Sequence, residues 1–476
     1  MKFQFLSLAL LITATTASAG PPNILLVLSD DHSYPHLSCY GNRNTERFNI
    51  TPNLDAFAGQ GMRFDRAYTT APQCAPSRTS IFTGRSAVGL GVTRFSQPPR
   101  KGVRFFTDAL RESGYWAGMD GRNQHLQGRV KESAHLNEVF REMGVRPIDD
   151  RFDHFVASAS TGDVKKIPEW IHSILDKVPD GKPFFLYFGF NQTHRGFGES
   201  HEGIEPDQLE LPPDWPDLPE VRLDYARFFN KLRQLDEGFG YIMDVLRERN
   251  IEKDTMVVFM GDNGEAILRG KGTLHQRGIH VPMVIRWPGM VEAGSVCDAL
   301  ISGEDLAPTF LEAAGVEVQA AMTGVSFLPA LRGDEFAGRK FVFAERGWHW
   351  GPITNTDGLD FCRSVTSDRY HFIYNALPNQ TYWPVDQVRK DAFAWEAIQK
   401  AHVGKTLSPL FSRLYFEKPR PVFELYDLSE DPHELNNLAG SPDYDKVETE
   451  MRQELDKWMV REHDYLPLPS HATWKW

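Results

Sequence analysis

The sequence predicts an α/β fold: a mostly parallel central sheet covered by helices on both faces, followed by a smaller C-terminal α+β subdomain. Three observations carry that expectation. The first is a set of short apolar runs, "NILLVLS", "KPFFLYFGF" and "TMVVFMG", each with the length and texture of a strand buried on both faces. The second is the helical pattern between them, above all "YARFFNKLRQLDEGFGYIMDVLRERN". There Phe228, Leu232, Leu235, Phe239, Ile242 and Leu246 step by fours and threes along one apolar face, despite Gly238 and Gly240. The third is the polar ending shared by the runs: Asp30-Asp31, the stretch from Asn191 to His194, and Asp262-Asn263. In sheets of this class ligands bind beyond the carboxyl ends of the strands, so three such ends suggest one shared site.

Along the chain, residues 1–19 come first: one lysine, an apolar stretch, then small residues ending Ala17-Ser18-Ala19. This is the layout of a secretory signal peptide, and it predicts an exported protein, secreted or periplasmic. No later run reaches the roughly 20 apolar residues of a transmembrane span. "TPNLDAFAGQG" reads as a short helix, with Thr51 as N-cap, Pro52 in its first turn and Gly61 beyond its end. The Pro-rich "LELPPDWPDLPEV", Leu209 to Val221, reads as a surface excursion before the long helix. The texture changes after Glu345, where aromatic and charged residues intermix, and a polar helix is expected from about Tyr444 to Val460. The expected division is a catalytic domain over 20–345 and the subdomain over 346–476.

Composition narrows the function. The chain has 476 residues, enough for two packed units, and 52 Lys+Arg against 64 Asp+Glu give a net charge of −12. A global field for nucleic acid is therefore not expected, and an anionic ligand would need a local cluster of cations. The cysteines, Cys39, Cys74, Cys297 and Cys362, show no C-x-x-C spacing, which excludes a zinc knuckle or dithiol redox motif. Export permits disulfides, but the sequence names no pair among them.

Cys74 lies in "TTAPQCAPSRTSIFTGR", between two prolines, with Arg78 and a helix-like run behind it. A cation and a helix N-terminus would both stabilise negative charge at that position, so Cys74 reads as chemically special. Its segment "CAPSRTSIFTG" matches the pattern C-x-P-S-R-x-x-x-[LI]-x-T-G at every defined position. With "NILLVLSDDH", "TPNLDAFAGQGMRFDRAY", "FMGDNG", "KGTLHQRGIHVPMVIRWPG" and "FELYDLSEDPHELNNLA" in the same order, the chain resembles the type I sulfatases of the alkaline phosphatase superfamily over nearly all its mature length. "ELYDLSEDPHELNNLA" and "DKWMVREHD" look most like the heparan N-sulfatase (sulfamidase) branch.

The resemblance implies an alkaline phosphatase-like large domain and a modified nucleophile. In this family a formylglycine-generating enzyme oxidises the motif cysteine to an aldehyde, which hydrates to a geminal diol. One hydroxyl attacks sulfur and expels the alcohol or amine; loss of the second hydroxyl's proton then ejects sulfate and restores the aldehyde. It further implies that Asp30, Asp31, Asp262, Asn263 and the formylglycine at Cys74 hold a divalent cation. An all-oxygen set suits calcium first, or magnesium, and not zinc. Arg78 would hold the diol oxygens, Lys271 the sulfate, and His194 would bind sulfate or protonate the leaving group. One segment departs from the family: where it has G-K-x-H, this chain has "GRNQH". Arg122 is then expected as a sulfate or diol contact and His125 as the base for diol collapse, with His125 and His194 open to exchange of roles.

The substrate expected from this reading is a sulfated oligosaccharide or polysaccharide fragment, attacked from its end. Candidate sugar contacts are Trp348 and His349 in "ERGWHWGPITN", Arg363 in "DFCRSV" and His201 in "GESHEG", with packing between domains as the competing explanation for the tryptophans. Two other functions fit parts of the pattern: a phosphoesterase or phosphonate monoester hydrolase of the same superfamily, and a non-catalytic glycan-binding relative. The second would have lost nucleophile or metal residues, all of which this chain keeps.

Overall fold

The structure is a computed structural model and describes residues 20–95, 97–122, 134–156 (side chains from 138), 161–349, 358–385 and 392–470. The expected leader and His125 lie outside the described residues.

The described strands are β1 (Asn23–Ser29), β2 (Met62–Phe64), β3 (Ala67–Tyr68), β4 (Trp116–Gly121), β5 (His154–Phe155), β6 (Phe184–Gly189), β7 (Thr255–Gly261), β8 (Met283–Arg286), β9 (Ser295–Cys297), β10 (Ile301–Ser302), β11 (Val342–Trp348), β12 (Leu359–Thr366), β13 (Tyr370–Asn375) and β14 (Phe423–Asp427). The large sheet runs β5-β4-β6-β1-β7-β8-β2-β9. β1 pairs in parallel with both β6 and β7, and β4 with β5 and β6; β8 is antiparallel to its neighbours β7 and β2. The apolar run of β1 fills both faces. Leu25 and Val27 point into one core with the long helix Pro219–Glu248, while Ile24, Leu26 and Leu28 point into the other with helices Phe106–Glu112 and Leu306–Ala313. Cutting any of these back to alanine would cost about 2–5 kcal/mol, because packed neighbours fill the cavity only in part.

The long helix begins at Pro219, six residues before the stretch from Tyr225 read as helical in the sequence, since proline's fixed φ suits a first turn. Its Gly238 is there for close approach: a Cβ would lie 2.7 Å from the Phe190 ring. Two local expectations need correction. Thr51 stands at the N-cap of Pro52–Gly59, yet its side chain caps nothing; Asp236 of the long helix accepts from Asn53 N (3.1 Å) and Leu54 N (2.8 Å) instead. The Pro-rich excursion is not all surface either. Trp215 is buried, donates from Nε1 to Leu268 O at 3.1 Å and meets Tyr225 edge-on.

The second sheet is antiparallel, in the order β11-β12-β13-β14, and its first strand spans residue 345. One face, with Val365, Phe372, Tyr374 and Leu425, packs on the C-terminal helix Asp445–Arg461. The other, with Ala344, Cys362, Ile373 and Tyr426, packs on Tyr68, Leu274, Ile279 and Leu300 of the large domain. The period-2 alternation of each strand thus separates the subdomain's own core from the seam between domains. No helix among the described residues is long and apolar enough to cross a membrane.

Candidate active site

β6, β1 and β7 lie side by side and parallel, so their carboxyl ends meet at one edge of the sheet. Asp30 and Asp31 follow β1 directly, and Asp262 and Asn263 follow β7 directly. β6 ends at Gly189, earlier than the sequence suggested, and a short turn carries His194 to the same edge, its N–H on Asn191 O. Asp31 takes a left-handed backbone, φ 62°, which turns the chain sharply off the strand.

Cys74 opens the wholly buried helix Cys74–Thr83, whose N-cap position is Gln73. The thiol lies 3.3 Å from Asp30 Oδ1 and 3.9 Å from Asp31 Oδ1. Asp30, Cys74 and Asp262 each present one ligand atom within 4.8 Å of the others. One turn along the helix, Arg78 donates from Nε to Asp262 Oδ2 (2.8 Å) and from Nη1 to Tyr187 Oη (2.6 Å) and Arg122 O (2.9 Å). Its Nη2 makes no hydrogen bond and lies 3.4 Å from Asp30 Oδ2. Arg122 forms an ion pair through Nε with the same Asp30 oxygen. Lys271 Nζ is 2.9 Å from Asp31, and His194 Nε2 is 3.8 Å from Asp31 Oδ2. The other ring nitrogen, Nδ1, sits 2.9 Å from Arg195 O, so it carries the proton and Nε2 is the atom turned to the cluster.

Apart from His194, which is part-exposed, the cluster is out of water. Asp30, Asp31, Asp262, Asn263 and Arg78 are fully buried, and Arg122 and Lys271 nearly so. Buried charge must be paired. Three carboxylates face three permanent cations here, and the consequences show in the ionisation. Burial pushes the Asp30 carboxyl up, but Arg122, Arg78, His194 and Lys271 together hold it well below its ordinary range. Burial and then Asp30 raise Asp262, against Arg78. Burial and Asp30 also push the Cys74 thiol well above its usual value. Among protein groups alone, position 74 is hostile to a thiolate, contrary to what a cation and a helix end suggested.

The residues fit a divalent cation. Asn263 donates from Nδ2 to Asp31 Oδ1 (2.8 Å) and Gly264 O (2.9 Å), which leaves its buried Oδ1 without a hydrogen-bond partner. That oxygen, with the three carboxylates, makes a hard-donor set suited to calcium or magnesium.

Cys74, Arg78, Arg122, His194, Lys271, Asp30, Asp31, Asp262 and Asn263 are therefore brought together. Trp348, half-buried, ends β11, and buried His349 follows it, edge-on to Phe95 with ring centroids 5.3 Å apart. No described contact joins either to the cluster; the preceding Gly347 packs on Thr93, whose carbonyl accepts from Gln73 Nε2 at 3.4 Å. Arg363 does not serve as a sugar contact. It is fully buried, grips Asp464 with two nitrogens and spends the third on Arg346 O and Cys362 O. His201 closes its own turn, Nδ1 on Ile204 O at 2.9 Å, and no described contact links it to the cluster. Among the described residues the cysteines are free thiols. Tyr187 was missed: its hydroxyl accepts from Arg78 and donates to Arg122 O at 2.8 Å, yet in the sequence it is one more aromatic in a buried strand.

Comparison with known proteins supplies the family. The Sulfatase family model matches residues 22–316, and the model of the N-sulphoglucosamine sulphohydrolase C-terminal region matches residues 264–414. An ulvan-active sulfatase of Formosa agariphila is 25% identical over 471 residues, covering 94% of this chain and 76% of that protein. Human N-sulphoglucosamine sulphohydrolase is 27% identical, covering 96% and 93%. Among solved structures, the phosphonate monoester hydrolase of Agrobacterium radiobacter shares the fold with a TM-score of 0.66 at 19% identity, covering 93% and 96%. A protein solved with its substrate D-glucosamine-2-N,6-O-disulfate shares it with a TM-score of 0.67 at 18% identity, covering 94% and 99%. The chain belongs to the Sulfatase family, with an alkaline phosphatase-like fold, and is a sulfuric ester hydrolase.

Proposed function

We propose that the protein is exported and removes O- or N-linked sulfate groups from sulfated glycans, acting from the chain end. The nucleophile would be formylglycine derived from Cys74. The observation that carries this reading is the meeting of Arg78, Arg122, Lys271 and His194 with three carboxylates around position 74. Charge balance supports it: three cations already neutralise three carboxylates, so a dication would be balanced by the single charge of a sulfate ester together with one deprotonated hydroxyl of the hydrate, and by sulfate dianion after cleavage. Export rests on the leader at residues 1–19.

Asp30, Asp31, Asp262 and Asn263 would hold a divalent cation, calcium or magnesium, which supplies Lewis acidity and orientation. The aldehyde hydrate supplies a hydroxyl nucleophile and a second hydroxyl for release. The chain's own residues do the rest. Arg78 is locked by Asp262, Tyr187 and Arg122 O one turn from residue 74, and its Nη2, 3.4 Å from Asp30 Oδ2 and without a hydrogen bond, would donate to negative oxygen developing on residue 74. Lys271 and Arg122 are placed to neutralise sulfate oxygens when these displace their carboxylate contacts. His194, with Nε2 turned inward towards Asp31 and Nδ1 fixed behind it by Arg195 O, can hold a proton for the departing oxygen or nitrogen. His125 would accept the proton on release, or the two histidines would exchange roles.

Two measurements test this. Peptide mass analysis of active protein should show residue 74 about 18 Da lighter than cysteine, whereas sulfenic, sulfinic or sulfonic oxidation adds mass. Rates on N-sulfoglucosamine, glucosamine 6-sulfate, sulfated ulvan oligosaccharide and a phosphonate monoester then identify the leaving group. Fastest turnover of the phosphonate ester would favour the related hydrolase activity, which shares this fold.

A further inference from the structure

Seven non-glycine residues among those described carry a left-handed backbone. Asn49, Asn250, Lys405 and His463 each stand two places beyond the last residue of a helix, where a left-handed turn is an ordinary way to stop one. Asp31 (φ 62°), Arg269 (φ 52°) and Glu434 (φ 55°) end no helix. A residue with a Cβ disfavours that conformation, which persists only where surrounding contacts impose it, so these three need another reason. They are joined. Lys271, two residues from Arg269, places Nζ 2.9 Å from Asp31, and Arg269 donates from Nη2 to Glu434 O at 3.0 Å.

The segment that carries Lys271 leaves β7 beyond Asp262-Asn263 and is held from two sides. On the large-domain side Lys271 N–H donates to Glu265 O and Gly272 N–H to Pro72 O, both at 2.8 Å. Pro72 stands two residues before Cys74, so the lysine turn is tied to the nucleophile turn. On the subdomain side Arg269 is the anchor. Its N–H donates to Tyr382 Oη at 2.8 Å and its Nη1 to His433 O at 3.1 Å. Glu434 Oε2 accepts from Gln276 N at 2.7 Å, and its other carboxylate oxygen sits 2.5 Å from His371 Nδ1. Arg269 O accepts from Thr273 Oγ1 at 2.7 Å, which closes the turn around Lys271. Arg269 is 2% exposed, so water does not compete for these contacts. His433 and Glu434 lie in "FELYDLSEDPHELNNLA", a segment that the proposed reaction does not otherwise use.

We infer that Arg269 is a positioning residue: by gripping the turn at His433 and Glu434 it lets the C-terminal subdomain fix where Lys271 stands at the sulfate site. Lysine is a point charge on a flexible stem, so its backbone must be held if Nζ is to meet one oxygen. A misplacement of about 1 Å can cost on the order of 100-fold in rate. The catalytic consequence rests on the sulfate contact proposed above for Lys271, whereas the placement itself does not.

Amide hydrogen exchange of the full chain, read by mass spectrometry at Lys271 and Gly272, tests the placement. Arg269→Gln should speed exchange there about tenfold or more and leave the long helix Pro219–Glu248 at its parental rate. Should that variant fail to fold, Tyr382→Phe carries the test, with a smaller increase of the same kind, because it removes only the hydroxyl that accepts from Arg269 N–H. Kinetics on 4-nitrophenyl sulfate test the consequence. Arg269→Gln should raise KM about tenfold or more, the worth of one charged hydrogen bond, whereas mere loss of folded protein lowers apparent kcat and leaves KM unchanged. Added to Lys271→Met it should cost nothing further, because its effect passes through that lysine. Parental exchange at Lys271 and Gly272, an equal rise along the whole chain, an unchanged KM in Arg269→Gln while Lys271→Met is impaired, or additive losses in the double variant overturns the inference. Parental KM in Lys271→Met would instead remove the proposed sulfate contact, and the exchange rates would still decide the placement.

Discussion

Around Cys74, Arg78 divides its guanidinium among Asp262, Tyr187 and Arg122 O and still has Nη2 without a hydrogen bond. Behind the small sheet, Arg363 is just as buried, but Asp464, Arg346 O and Cys362 O use every nitrogen it has. Both arginines sit in water-free surroundings among carboxylates, and burial alone would rank them equally as site residues. The difference is saturation. A saturated buried ion pair holds structure, whereas one with an open donor is arranged for something still to arrive. The Asn263 Oδ1 atom, buried and unpartnered beside the carboxylates, obeys the same rule from the acceptor side.

The largest effect should fall on the open cluster. Cys74→Ala or Asp262→Ala should reduce turnover to background, a loss on the order of 10⁴-fold or more, as for removal of a nucleophile. Exhaustive chelation should do the same, and calcium or magnesium should restore the rate. Circular dichroism of Cys74→Ala should match the parent. Appreciable turnover by Cys74→Ala would break the comparison at once.

The saturated pair should behave in the opposite way. Arg363→Met strands Asp464 in the interior and should lower stability by about 3–5 kcal/mol, read from denaturant midpoints. The fraction that folds should keep its KM for sulfated substrate, because Arg363 has no atom free for sugar. A raised KM with unchanged stability would return Arg363 to the substrate role that its sequence context suggested.

Much of this was legible beforehand, for physical reasons. The parallel sheet was readable because strands buried on both faces are continuous apolar runs, and the meeting of Asp30-Asp31 with Asp262-Asn263 because they follow those runs directly; a metal for them to hold came from the family resemblance. Other features depend on contacts between distant segments. Asp236 displaces Thr51 as a cap across 182 residues of chain, and nothing local to "TPNLD" announces it. Trp215 reads as a loop residue among prolines until Leu268 O supplies its partner. Arg363 and Arg78 differ in whether the last nitrogen hydrogen-bonds Asp464 or stands 3.4 Å from Asp30 without a hydrogen bond, and no spacing rule encodes that.

A middling effect is expected at the family departure. Arg122 pairs with Asp30 through Nε of its planar guanidinium, and its carbonyl accepts from both Arg78 and Tyr187. Arg122→Lys keeps the backbone contacts and the charge but loses the fork, and should cost about 10- to 100-fold in kcat/KM. An unchanged rate would mean that charge alone is used there.

The smallest effect tests the seam, and its sign can be worked out. Glu345 is fully buried next to Arg363, neither carboxyl oxygen makes a hydrogen bond, and burial raises its carboxyl to about 8 against the pull of Arg363. In the unfolded chain the same group ionises near its usual value of about 4.3. Below that value both states are protonated and the native state keeps its full advantage. As pH rises from about 4.3 towards 8 the unfolded chain gives up a proton that the folded chain retains, so stability falls with pH. Glu345→Gln cannot titrate. Relative to the parent, its melting temperature should therefore rise steadily from pH 5 to pH 8, reaching a gain of at most about 2 kcal/mol by pH 6. Paired melts at each pH cancel the titration of every other group. A difference that stays flat across that range would mean Glu345 is ionised in the folded state, and therefore that Arg363 holds a second carboxylate and is less saturated by Asp464 than its hydrogen bonds indicate.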